Sequence, residues 1–141
     1  MKEFLNSVLA AIATGTVYLI GGFDVALNCL LIAIILDYIS GIIKAYIKKE
    51  LSSSIGLKGI LKKVGVLIIV ILATLMDRVA GATGAIRTLV IYYFVANEGL
   101  SILENLGAAG VPIPAKLKKA LKELKKEANT NDKKLRSKKG R

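Results

Sequence analysis

Apolar residues dominate the first ~105 positions of this chain, broken only by short polar stretches, and lysine dominates the remaining C-terminal residues. The apolar runs cover roughly 4–23, 25–47, 59–76 and 85–105. Each approaches the ~20 residues of helix that cross a hydrocarbon core about 30 Å thick. Their boundaries carry stop and start signals. Gly21-Gly22-Phe23-Asp24 reads as a turn, with Asp24 placed to N-cap the second helix. Residues 50–58 are a polar connection whose serines suit the cap of the third. Residues 80–84 are a small-residue turn, and Gly110-Val111-Pro112-Ile113-Pro114 closes the fourth run. The pattern predicts an all-α integral membrane protein. A transmembrane helical domain covers 1–110, a basic amphipathic helix covers 111–128, and a disordered basic tail covers 129–141.

The first run is the most dilute, through Asn6, Ser7, Thr14 and Thr16. Lys2, the apolar stretch and Ala11-Ile12-Ala13 also resemble a cleavable secretory signal. The apolar character continues past that site to Ile20, which favours a retained helix in which Ala11 and Gly15 allow close helix approach. Four crossings are expected; three crossings, with this run interfacial or removed, is the alternative.

Charge sets the orientation. The chain holds 21 Lys plus Arg against 10 Asp plus Glu. Twelve of those cations lie in 116–141, and six lysines lie between Lys44 and Lys63. Lysine-rich loops stay in the cytoplasm. Both clusters then belong inside, which fits two helices between them and places both termini in the cytoplasm. The expected location is a membrane crossed several times.

Polar residues at membrane depth are the candidate chemistry. Asp37 lies ten residues before the end of the second run, ~15 Å in. A charge facing lipid at the centre of a helix costs about 2.5–3.5 kcal/mol on insertion scales. Asp37 must therefore face helices, water or a cation. Ser40, Gly41 and Lys44 come next on the same face. Asn97 and Glu98 sit at comparable depth in the fourth run, and Lys62 or Lys63 can pair with either acid. These six residues, Asp37, Ser40, Gly41, Lys44, Asn97 and Glu98, are the expected helix-packing or lesion-lining set. A purely structural role as glue between helices, or a proton relay in a small transporter, are the competing readings of the same stripe.

In the final helix Leu117, Ala120, Leu121 and Leu124 recur at helical spacing among lysines. Lys116, Lys118, Lys119, Lys122, Lys125 and Lys126 are candidates for binding anionic lipid headgroups. No aromatic platform accompanies them, so nucleic acid is not an expected partner. The chain has no His, and its single cysteine, Cys29, has no internal partner. That removes His-dependent catalysis and His/Cys metal sites; no enzyme activity and no cofactor are expected.

Leu36-Asp37-Tyr38-Ile39-Ser40-Gly41 resembles the Asp-Tyr-x-(Thr/Ser)-Gly signature of a class of phage holins from Gram-positive hosts and their phages. That class includes holin-like proteins linked to clostridial toxin secretion. The resemblance continues through residues 52–63, through 97–105, and through 110–114 with the lysine/leucine helix after it. It covers about residues 30–126 in order. It implies a homo-oligomer that opens lesions in the cytoplasmic membrane and sets the time of lysis. The released cargo is an endolysin, or a toxin in the toxin-linked members. An antiholin or membrane regulator, and a proton-coupled transporter, remain alternatives.

Overall fold

The computed structural model describes residues 1–139; residues 140–141, the end of the expected tail, lie outside the described residues. Among the described residues five helices run in order: α1 Lys2–Ile20, α2 Val25–Ile47, α3 Ser53–Val79, α4 Ala85–Ala108 and α5 Ala115–Lys139. The first four are long and apolar enough to cross a membrane. The protein is an all-helical, multi-pass membrane protein.

The turns form for local reasons. α1 stops at Gly21, whose φ of 85° is left-handed, and the Gly22 N–H closes the end on the Val17 carbonyl at 2.9 Å. A Cβ at Gly21 would also lie 2.9 Å from Arg87 Nε, so both backbone conformation and close approach require glycine there. Asp24 caps α2 as expected, accepting from the Leu27 N–H at 2.8 Å. α4 begins after Gly84, which has no side chain to cap it. Asp77, from the end of α3, supplies the missing acceptor to the Ile86 and Arg87 N–H groups at 3.0 and 2.8 Å.

The helix limits differ from the sequence expectation at several ends. α3 starts at Ser53, six residues before the apolar run, because the polar segment winds into the same helix; Ser52 holds the N-cap position but its side chain makes no capping bond, pairing with the Ser54 hydroxyl at 2.9 Å instead. α4 continues to Ala108. α5 extends to Lys139, well past the expected end at 128, because no proline or glycine interrupts 115–139.

Two reversals leave α2 and α4 parallel, with α3 antiparallel to both. α4 is the central helix and packs on α2, α3 and α5, while α1 rests on α3. The core is small. Leu27 and Leu30 from α2, Val66 and Val70 from α3, and Ile91 from α4 meet with Ile20 at the end of α1. This apolar layer is held between two polar ones, at the two ends of the bundle interior. Around it, α1, α2 and α3 turn large apolar side chains outward, among them Phe4, Ile12, Ile32, Ile35, Ile68 and Leu72. Such a surface is suited to acyl chains. The Ala11/Gly15 face expected to bring α1 close to another helix is unused within the protomer, for a Cβ at Gly15 would meet nothing.

Candidate functional site in the bundle interior

Asp37 faces inward from α2 and is 8% exposed. Ser40, one turn on, is buried beside it and donates to the Asp37 backbone carbonyl at 2.9 Å. From α3, the Lys63 ammonium donates to Asp37 Oδ2 at 2.5 Å and also to Glu98 Oε2 on α4. Glu98 is 3% exposed. The Asn105 amide, two turns beyond Glu98, donates to Asp37 Oδ1 at 3.3 Å and to Ser40 Oγ at 3.2 Å. Two acids thus share one base, and three helices are joined through it. Among the described residues, no buried side-chain polar atom lacks a partner. That satisfaction makes a charged cluster tolerable at this depth.

A crevice of about 290 Å³ opens beside this centre between α2 and α3, lined by Asp37, Tyr38, Lys44, Ile55, Gly56 and Lys63 among others. The Tyr38 ring lies over α3, where a Cβ at Gly56 would stand 3.6 Å from its hydroxyl. Gly41 faces Asn105, with room for a Cβ at 3.7 Å. Lys44 lines the mouth of the crevice rather than joining the ion pairs.

Of the six residues expected to form the set, the structure brings Asp37, Ser40 and Glu98 together, with Gly41 and Lys44 at the edge. Asn97 is elsewhere. It points to α5, where its Oδ1 accepts from Lys125 Nζ at 2.7 Å. Lys63, rather than Lys62, is the base, and it pairs with both acids. Asn105 lies outside the expected stripe, yet its spacing of seven from Glu98 places both on one helix face. The segments 36–41, 52–63 and 97–105 thereby converge on one centre.

The opposite polar layer is built on Arg87, which is 5% exposed. Its guanidinium donates to the Ile20 carbonyl at 2.7 Å, to Gly22 O at 2.9 Å and to Asp24 Oδ2 at 2.5 Å. Thr74 donates to the same Ile20 carbonyl at 3.1 Å. Arg78 donates to the Tyr18 carbonyl and lies 3.8 Å over the Tyr18 ring. These contacts pin the α1–α2 turn to the α3–α4 turn. The Arg87 guanidinium holds the Asp24 carboxyl below the usual carboxylate range, against an opposing push from burial. The sequence signal for this layer is an arginine, Arg87, inside an apolar run.

The candidate lysines of the last helix divide. Lys116, Lys118, Lys119, Lys122 and Lys126 are exposed, and Lys125 is half-buried on α4. The expectation set this helix along a lipid surface, whereas it folds back on α4. Part of its leucine face finds protein there: Leu121 fits against Gly99 and Leu124 is half-buried, while Leu117 stays exposed.

Compared with known proteins, residues 14–126 match the bacteriophage holin family. An uncharacterized 14.9 kDa protein from the nagH 3' region of Clostridium perfringens is 44% identical over 128 residues, 88% of this chain and 97% of that protein. The uncharacterized protein YqxH of Bacillus subtilis is 38% identical over 111 residues, 79% of each chain. A probable holin of Bacillus phage phi105 is 39% identical over 89 residues, 63% of this chain and 66% of its own length. No solved structure matches.

Proposed function

Because this chain belongs to the bacteriophage holin family, we propose that it assembles with copies of itself in a bacterial cytoplasmic membrane and opens lesions there. The cargo is an endolysin that must reach the cell wall; export of a toxin is the variant reading, suggested by the resemblance to clostridial holin-like proteins. The lipid bilayer with its anionic headgroups is the working partner. Both termini face the cytoplasm, in keeping with the lysines at 44–63 and 116–141. Family membership points to a non-enzymatic membrane protein.

One observation carries the mechanism: Lys63 is shared by Asp37 and Glu98 inside the bundle. In lipid, helices are held by packing and polar pairs rather than by a hydrophobic drive. The closed protomer satisfies these three groups internally. At high density the same groups can exchange partners between neighbours, and a ring of them can hold water. The transition is cooperative because half-satisfied polar groups in hydrocarbon are the least stable arrangement.

The direct test is induced expression with and without a co-expressed endolysin, scored by turbidity. The reading expects an abrupt loss of turbidity at a fixed time with the endolysin, and a sudden stop of respiration without it. Continued growth and respiration at full membrane expression would contradict it.

A further inference from the structure

α5 doubles back antiparallel to α4, and its docking is specific. Leu121 sits where a Cβ on Gly99 would come within 3.1 Å. Lys125 Nζ donates to Asn97 Oδ1 at 2.7 Å and lies 5.6 Å from the Tyr93 ring. Nearer the turn, Ile113 lies against Gly107.

The depth of this contact is the difficulty. Asn97 adjoins Glu98, which shares Lys63 with Asp37. Asp37 is ten residues, ~15 Å, before the end of α2 at Ile47. The outer face of α2 stays apolar over that distance, through Ile39, Ile42, Ile43 and Ile47, all exposed. On the α2 side acyl chains therefore reach past the level of Asn97 and Lys125, while on α3 exposed Lys58 and Lys62 stand near that level. On the outer side of docked α5, Lys118, Lys119, Lys122 and Lys126 are exposed. Lipid cannot solvate such a row. The protomer is two-sided: α1, α2 and α3 beyond its exposed Lys58 and Lys62 present apolar side chains, α5 presents lysines, and α4 between them exposes Tyr92 as its one large apolar side chain.

We propose that α5 docked on α4 is the water-facing wall of the lesion. Resting on the lesion-forming function, this assigns α5 two positions. In a protomer surrounded by lipid, α5 lies among anionic headgroups, which its lysines attract. On assembly it docks before the polar centre opens, Leu121 enters the Gly99 notch as here, and the lysine row faces the forming aqueous opening. The side of α4 carrying Tyr93, Asn97 and Gly99 is the receiving surface.

The test uses the full chain in vesicles of phosphatidylethanolamine and phosphatidylglycerol loaded with a self-quenching dye. Gly99→Cys and Leu121→Cys are combined in a Cys29→Ser background and joined by an oxidant. Cross-linked protein is expected to release dye at several-fold lower protein-to-lipid ratio than the reduced form, and reductant should reverse the gain. Gly99→Leu, which fills the notch, is expected to insert normally and lose release several-fold. The proposal is overturned if the cross-linked form is silent while the reduced form leaks, or if neither change moves the dose. Vesicles that never leak with the unmodified protein would instead sink the lesion reading itself, and the wall with it.

Discussion

The Lys63 ammonium on α3 donates to the Asp37 carboxylate on α2 at 2.5 Å, and Glu98 on α4 takes the same donor. Their sequence separations are 26 and 35 residues. A single side chain therefore couples the three helices that surround the core.

Removing it should be severe. Lys63→Met leaves Asp37 and Glu98 facing each other without a cation. Breaking a buried pair from one side costs about 3–5 kcal/mol. Denaturant-driven loss of helix contact in detergent micelles, read by a fluorescence pair on α2 and α3, should show a loss of that size. Lys63→Arg should recover part of it.

Asp37→Leu has a different expected outcome. The variant loses its polar stripe but gains a residue that lipid accepts, so it should express and insert at wild-type level. Lysis of cells carrying an endolysin should fail or be long delayed. Wild-type timing would show that Asp37 has no part in opening.

Arg87→Ala should release the α1–α2 turn. It removes donors to Ile20, Gly22 and Asp24. Hydrogen bonds to charged groups contribute about 1.5–3 kcal/mol each, with strong non-additivity. The expected signs are faster proteolysis near Gly21-Gly22 and a stability loss of about 3 kcal/mol in the same micelle assay.

Asp24 gives the pH dependence. Its folded-state pKa is lowered, chiefly by the Arg87 bond. Its contribution is therefore complete above the ordinary carboxylate pKa of ~4. It is lost as pH falls through the lower folded value. The carboxylate is half exposed, so the effect is modest. Micelle stability measured from pH 6 to pH 2 should fall less steeply below ~4 in Asp24→Asn than in the wild type. Equal slopes would mean that the pair contributes nothing.

The helices were legible because long apolar runs bounded by turn residues have one outcome in lipid. The Asp24 cap and the inward-facing Asp37 were legible for similar reasons, since each alternative leaves a polar group without a partner. The part played by Asn105 in place of Asn97 was not legible. Asn97 is adjacent to Glu98 in sequence but about 100° around the helix, so it reaches α5; Asn105, seven on, shares the face of Glu98. The Arg87 layer joins residues more than sixty positions apart, which no local pattern encodes. The return of α5 onto α4 was likewise hidden. A lysine/leucine helix suits headgroups and protein equally well by its pattern, and only the Gly99 notch facing Leu121 distinguishes the second.

In the proposed mechanism the buried polar centre opens to water when the protein acts. Ser40 is 3% exposed and sits inside that centre. A Ser40→Cys variant in a Cys29→Ser background can be treated with a charged thiol reagent before and after triggering in cells. Protection is expected before triggering and rapid labelling after it. A cysteine that stays unlabelled once lysis has begun, or one labelled equally at both times, would contradict the mechanism.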